Sequence, residues 1–190
     1  MKKKTPEYQN LYPKNPATGA YVIEVSLDDY SELFNGWDAS PLRKKDLEPE
    51  LLYFNQKAAY EIPLKESVEI CFYVPETVAD PDKEMKSVTG VTNNFRVVMF
   101  FINTALATGR RQIAVFMTLS MIFLLVAYLI RNVEAGLLLS IVIEGLFIGG
   151  WFLLWEAFSL FFFTGHETRT RRKIFMRFIN SPIGFIHRQS

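Results

Sequence analysis

Two carboxylates lie inside a long apolar stretch of this sequence, where a charged side chain often has a functional role. Glu144 and Glu156 are the only charged side chains of residues 137–163. Burial of an ionised carboxylate in hydrocarbon costs free energy. Glu144 is therefore expected to face a helix partner or a cavity, or to be protonated. It could serve as a proton or ion site, or as a polar contact in an oligomer. It could also make one structural hydrogen bond, to Thr118 or Ser120.

The same stretch carries a packing motif and interfacial side chains. Gly145 and Gly149 form a GxxxG pair, which lets two helices approach closely, either within a hairpin or between copies. Glu156 and Trp155 lie near the predicted membrane interface. There Glu156 can pair with basic side chains, and Trp155 can anchor the helix.

A loop of mixed chemistry lies nearer the start of the chain. Residues 37–45 include the side chains Trp37, Asp38, Ser40 and Pro41. Asp and Ser side chains often bond local backbone in turns. The Trp, the Pro and the mixed charges also make this loop a candidate partner-binding surface.

Other residues that could react are isolated from one another. Cys71 is predicted on the outward face of a strand, without a neighbour that would activate it as a nucleophile. His166 and Glu167, taken with Glu156, have a spacing that matches no standard metal site. The sequence has no GxGxxG, Walker, HExxH or GxSxG motif, so it predicts no enzyme, no metal and no cofactor.

The composition excludes several classes of protein. The 190 residues have a formal net charge of +1, which argues against nucleic-acid binding through bulk electrostatics. A single Cys cannot close an internal disulfide, so the chain is no disulfide scaffold. Hydrophobic residues make up 49% of the chain and concentrate in residues 113–163, which hold only four charged side chains.

The segment 113–163 predicts two membrane-spanning helices. Residues 113–130 are uncharged over 18 positions and would extend roughly 27 Å as a helix, close to the thickness of a hydrocarbon core. Residues 137–163 exceed that thickness, which requires a tilt, a kink near Gly149 and Gly150, or protrusion from the membrane. The connector of six residues forces an antiparallel hairpin whose two ends share one side of the membrane.

Basic side chains predict which side that is. Lys and Arg favour the cytoplasmic side, and they flank the hairpin, whereas its connector contains only Arg131. We therefore expect a bacterial inner (cytoplasmic) membrane protein with both termini cytoplasmic. The side chains that follow the hairpin form a basic tail: Arg169, Arg171, Arg172, Lys173 and Arg177.

The residues before the hairpin predict a flexible arm and a small cytosolic α+β domain. Residues 1–19 are polar and contain several prolines, which is typical of an arm. The domain would occupy residues 20–112 and end in a juxtamembrane helix that begins near Thr92, with a possible hinge at Gly109. Its other predicted elements are strands at 21–27 and 67–74 and, after the cap Asp46, a helix at 49–60.

The residues after the hairpin, 164–190, predict a basic helix and a short strand at 183–187. They carry six basic side chains and one acidic one, whereas residues 1–112 carry 14 basic and 16 acidic ones. The tail could therefore dock on the domain, with residues 183–187 joining its sheet, or attract anionic lipid headgroups. The predicted fold class is a membrane α+β protein, in which a small cytosolic domain around a two-helix transmembrane hairpin is completed by the C-terminal tail.

Three stretches resemble an uncharacterised family of small bacterial two-span inner-membrane proteins. They are residues 31–48, which contain FNGWDASPL, residues 144–151, which read EGLFIGGW, and the basic helix 171–177 before a short last strand. The resemblance covers residues 20–188 and implies a cytosolic domain split around the hairpin. It implies no activity and assigns no functional residue.

Two functions fit these expectations. The first is a membrane-anchored, non-catalytic binding or scaffold module that acts through a protein partner or by self-association. The second is an oligomeric channel or membrane-perturbing effector, with Glu144 on the path and the cytosolic domain as the gate. A third, a membrane enzyme, has the least support in the residues, and a near-stoichiometric metal in the purified protein would revive it. The expected partners are the lipid bilayer and a second copy or another membrane protein, with no nucleic acid.

Overall fold

The strands of this protein lie far apart in the sequence. The computed structural model describes residues 8–131 and 136–188. In chain order, its helices and strands are α1 (Tyr8–Leu11), β1 (Tyr21–Ser26), α2 (Pro49–Glu61), β2 (Val68–Pro75), α3 (Pro81–Ile130), α4 (Leu137–Ser159), α5 (Gly165–Ile179) and β3 (Ile183–Arg188). Short 3₁₀ turns are present at Tyr30–Leu33 and Glu76–Val78, and a π-helix at Leu160–Thr164.

The chain divides into two compact units. We call them the sheet unit, formed by the described residues up to Phe100 and from Arg172 onward, and the hairpin unit, Phe101–Arg171. The sheet unit thus assembles from two sequence segments that flank the hairpin unit. The boundaries predicted from the sequence, after residues 112 and 163, both fall inside the hairpin unit.

The three strands form one parallel sheet in the order β1-β2-β3. β1 pairs with β2 in the register Tyr21↔Val68, and β2 pairs with β3 in the register Ile70↔Ile183. Parallel neighbours need a crossover connection. α2 lies in the first crossover, and α3, α4 and α5 lie in the second. The prediction that a short last strand joins the sheet is confirmed, and the hairpin unit is an insertion between two adjacent strands.

Aromatic side chains from both sequence segments form the core of the sheet unit. Tyr21 and Phe72, from the strands, are fully buried. Phe95 of α3 stacks on Phe178 of α5 with ring centroids 5.1 Å apart, and Phe175 meets the Phe95 ring edge-on at 6.0 Å. Burial of each such ring contributes about 1.5–3 kcal/mol. The apolar face of α5 therefore attaches the later segment firmly to the earlier one.

Arg177 of α5 closes the C-terminal end of α2. The last carbonyls of a helix have no partner inside it, and Nη2 of Arg177 donates to the carbonyl of Ala59 at 2.6 Å. Nη1 donates to the carbonyl of Pro63 at 3.0 Å and, at 3.3 Å each, to those of Ile62 and Glu66. Burial lowers the pKa of the guanidinium, which remains charged. One cation thereby joins the two segments of the sheet unit.

The expectation of a flexible arm is corrected for residues 8–19. The backbone N–H of Val22 donates to the carbonyl of Pro13 at 2.9 Å, which gives the edge of β1 a partner. The Tyr12 hydroxyl donates at 2.5 Å to the carboxylate of the last residue of α2. The polar composition of this segment does not reveal that its backbone pairs with a strand. The first part of the predicted arm, residues 1–7, lies outside the described residues.

Helix α3 begins earlier than predicted and has no break at Gly109, where a hinge was expected. It starts at Pro81 instead of near Thr92, and it continues through Gly109 to Ile130. A side-chain oxygen of Asp80 accepts hydrogen bonds from two backbone N–H groups of the first turn, at 3.1 Å each. Asp at the cap followed by Pro is a helix start signal, but the apolar periodicity becomes regular only later in the helix.

The hairpin unit contains two helices that are long and apolar enough to cross a membrane. Ser120 of α3 donates to the carbonyl of Gly150 in α4 at 2.7 Å. α4 runs unbroken through Gly149 and Gly150, where a kink was one expectation, and passes into the π-helix Leu160–Thr164. Only 11% and 6% of the most apolar windows of the two helices are buried, whereas a core helix of a soluble protein would be mostly buried.

Replacement of Arg177 tests the closure of the sheet unit. Arg177→Met leaves the carbonyls at the end of α2 without their donors, so we expect it to lower the free energy of unfolding by roughly 2 to 4 kcal/mol. The measurement is urea unfolding of the full chain in mild detergent, followed by near-ultraviolet circular dichroism. The matched control is Lys173→Met, which removes an exposed cation of the same helix. Equal losses in the two variants would contradict the role of Arg177.

Candidate functional site

The loop 37–45 is fixed by its own polar groups. One carboxylate oxygen of Asp38 accepts a hydrogen bond from the N–H of Ser40 at 2.8 Å, and the other accepts one from the N–H of Asp46 at 2.7 Å. These bonds, chiefly the one from Asp46, hold the pKa of the Asp38 carboxyl below its usual value. The carbonyl of Pro41 accepts a backbone hydrogen bond that closes a second turn within the loop. Asp46 therefore belongs to this loop and does not cap α2, whose cap position makes no side-chain bond.

Helix α3 holds the far end of the loop. Asn93 and Asn94 each donate to a backbone carbonyl of the loop, at 2.9 and 2.8 Å. The carbonyl oxygen of Leu42 lies so close to Gly90 that no side chain fits between them. The sequence analysis missed these three residues of α3. Gly and Asn are poor helix formers, but the predicted helix began only near Thr92, so the sequence did not show that these residues stand in the interior of a helix.

Trp37 is 96% exposed on this fixed loop. The backbone N–H of Trp37 donates to the side-chain oxygen of Asn35 at 2.9 Å, which fixes the backbone that bears the ring. Arg43 and Lys44, in the same loop, are also exposed. A Trp ring has a large apolar surface, and it is seldom left entirely in solvent. The loop thus presents one aromatic ring and two cations on a fixed backbone.

Glu144 is exposed and makes no hydrogen bond or ion pair within the described part of the chain. The structural bond that the sequence allowed, to Thr118 or Ser120, does not form. Ser120 bonds to Gly150, and the Thr118 hydroxyl bonds to its own helix at 2.9 Å. The carboxylate of Glu144 therefore stands on the outer surface of the hairpin unit.

The two helices of the hairpin approach each other one residue beyond the predicted GxxxG pair. A Cβ on Gly150 would lie 2.8 Å from a leucine of α3, and one on Gly149 would lie 3.3 Å from a phenylalanine. A Cβ on Gly145 would meet nothing within 4 Å, so Gly145 takes no part in this contact. Glu156 is half-buried and forms no ion pair among residues 8–131 and 136–188. Trp155 is exposed, and its role as a membrane anchor stays a prediction.

The basic tail has one inward side chain and several outward ones. Arg177 bonds to the backbone of the sheet unit, as described above. The guanidinium of Arg169 lies 5.5 Å from the centre of the Phe161 ring. The tail therefore joins the sheet unit through Arg177 and the apolar face of α5, and attraction to anionic headgroups stays a prediction. The exposed basic side chains of the tail are Arg169, Arg171, Arg172 and Lys173.

The remaining reactive side chains of the described residues lie apart from one another. Cys71 lies on the same face of β2 as Glu69 and Tyr73, as the alternation predicts, but it is buried there, and burial raises the pKa of its thiol. Nε2 of His187 lies 2.7 Å from Glu84, which also accepts from the Tyr30 hydroxyl at 2.9 Å. Within the described residues, no group of three or more His, Cys, Asp or Glu side chains could hold a metal ion.

Comparisons with models of protein families, with curated proteins and with solved structures found no match to this chain. The geometry of the loop 37–45 and of the hairpin is therefore the basis for any functional conclusion. The resemblance to two-span inner-membrane proteins stays a prediction from the residues that carry it.

The close approach at Gly90 gives a test of the loop. Gly90→Ala places a methyl group against the Leu42 carbonyl and 2.9 Å from the Phe34 ring. We expect it to lower the free energy of unfolding by about 1 to 3 kcal/mol and to loosen residues 37–45. Hydrogen exchange of that segment, read by mass spectrometry, measures the loosening. Gly36→Ala is the matched control, because a Cβ there meets nothing within 4 Å. Unchanged exchange in Gly90→Ala would contradict support by α3.

Proposed function

We propose that this chain is a membrane-anchored, non-catalytic binding or scaffold module that acts through a protein partner at the cytoplasmic face of the bacterial inner membrane. The observation that carries the proposal is Trp37, whose ring is 96% exposed on a loop fixed by side-chain hydrogen bonds. Trp is among the residues most enriched at the energetic centres of protein interfaces. A loop that is already ordered loses little conformational entropy when it binds.

The parallel sheet supports anchoring by a hairpin. β2 and β3 are neighbours in one sheet, so the chain that leaves β2 returns to the same side of any membrane that it crosses. That return requires an even number of crossings, and the hairpin unit has two helices of suitable length and apolarity. Basic residues at both ends of the hairpin favour the cytoplasm for that side: Arg110, Arg111, Arg169 and Arg171.

The loop also indicates the chemistry of the partner. Trp37 would fill an apolar pocket, since its ring buries roughly 150–250 Å² on docking. Arg43 and Lys44 are exposed in the same loop and would face acidic side chains at the rim of that pocket. We therefore propose a partner protein with an apolar pocket and an acidic rim.

Loss of the Trp37 ring tests the proposed function. We expect Trp37→Ala to weaken partner binding about 30-fold or more, because truncation of an interface Trp costs about 2 kcal/mol or more. The measurement is quantitative mass spectrometry of proteins that co-purify with the tagged full chain from membranes in mild detergent. Tyr53→Ala is the matched control, since it removes another exposed aromatic ring, on α2.

Two outcomes would contradict the binding module. One is a partner that Trp37→Ala retains as well as Tyr53→Ala does. The other is a chain that purifies alone and binds nothing through the loop. Either outcome would mean that residues 37–45 do not bind a partner protein.

The second candidate function is an oligomeric channel or membrane-perturbing effector gated by the cytosolic domain. The observation that favours it is the exposed carboxylate of Glu144 in an apolar helix. Two helices cannot enclose a pore, so several copies would be needed. Ion flux into liposomes that falls in Glu144→Gln would favour the channel. Flux that is absent, or equal in the variant, would count against it.

A further inference from the structure

Glu144 lacks a polar partner in a helix that is otherwise apolar around it. It is the eighth residue of α4, it is exposed, and it makes no hydrogen bond or ion pair among the described residues. If α4 crosses a membrane, as proposed above, this carboxyl group faces hydrocarbon. Such a group is strongly destabilising unless another polar group covers it.

A bare face of α4 surrounds Glu144. Ser140, one turn earlier, is exposed, and so is Ile148, one turn later, at 71%. A Cβ on Gly145 would meet nothing within 4 Å, so the backbone beside Glu144 is open to the close approach of another helix. Gly150, in contrast, already packs on α3 and accepts a hydrogen bond from it. The contact within the hairpin therefore leaves the face around Glu144 uncovered.

We propose that this face, formed by Ser140, Glu144, Gly145 and Ile148, binds a second copy of the chain about a two-fold axis along the membrane normal. The inference rests on the membrane insertion of the proposed function and adds an interface to it. Two copies inserted in the same orientation carry Glu144 at the same depth. Symmetry then brings the two carboxyl groups together near the axis.

The second copy supplies the groups that Glu144 lacks. The Ser140 hydroxyl of the other copy can donate to the Glu144 carboxylate, and where one of the two facing carboxyl groups holds a proton it can donate to the other. Gly145 allows the helices to come within reach, and the exposed Ile148 and Trp151 supply apolar contact area. A different protein would have to carry a matching polar group at the same depth, whereas a second copy carries it by symmetry.

Cysteine cross-linking in native membranes tests which face is covered. In a Cys71→Ser background, Ile148→Cys places a thiol on the proposed face. Met121→Cys places one on α3, at a side chain that is 62% exposed. We expect oxidation to link Ile148→Cys into covalent dimers and to leave Met121→Cys monomeric. Equal linking at the two positions, or linking only at Met121, would overturn the proposed interface.

The role of the carboxyl group is tested by its own variants. Glu144→Leu removes the hydrogen bond, and we expect it to weaken self-association about tenfold in liposomes, as read by energy transfer between labelled chains. Glu144→Gln keeps a donor and an acceptor and should stay within about threefold of the wild type. Glu156→Leu, which alters the other carboxylate of α4, is the matched control. Wild-type association in Glu144→Leu, or a ring of four or more copies, would overturn the pairing.

Carbonate extraction of the same membranes separates this proposal from the proposed function. A wild-type chain that carbonate releases would overturn both membrane anchoring and the pairing. A chain that stays in the membrane as a monomer would overturn only the pairing. Trp37→Ala should self-associate like the wild type, because the loop is not part of the face, and a loss of association in that variant would move the interface to the loop.

Discussion

The parallel pairing of β3 with β2 is the constraint on which the rest of this structure depends. Parallel neighbours cannot be joined by a short turn, so the chain between them leaves the sheet and returns in the same direction. In this protein that connection contains both apolar helices. Arg177 reinforces the return, because its guanidinium satisfies carbonyls at the end of α2 in the first crossover from a position in the second. The sheet unit closes only when both sequence segments are in place.

The polar side chains of the sheet unit are largely engaged in holding the fold. Asp38 bonds to the backbone of its own loop, and Glu84 accepts from Tyr30 and lies against His187. These hydrogen bonds stabilise the shape of the sheet unit. The loop 37–45 accordingly presents the Trp37 ring on a fixed backbone.

Local patterns in the sequence predicted most of the helices and strands, but they did not predict the contacts between those elements. Alternating side chains located the first two strands, and uncharged runs located the two apolar helices, because both signals repeat along the chain. Arg177 could not be singled out from the other basic residues, since the carbonyls that it bonds lie 111 to 118 residues away. In the hairpin, the packing of Gly150 on α3 was missed because it depends on a leucine and on Ser120 of the other helix, and the GxxxG motif does not include Gly150. Glu144 was singled out from the sequence because a charge in an apolar run is visible without a structure, and its role stays a prediction.

The position of β3 after both apolar helices limits the order in which the chain can fold during synthesis. β1, α2 and β2 leave the ribosome first and can form only a two-stranded sheet with an open edge on β2. Such an edge can pair with other chains and aggregate. α5 and β3 cover it only after the ribosome has made both apolar helices. The sheet unit can therefore close only in a nascent chain whose hairpin has been synthesised in full. A chain truncated before β3 would keep an unpaired edge on β2 that can pair with other chains.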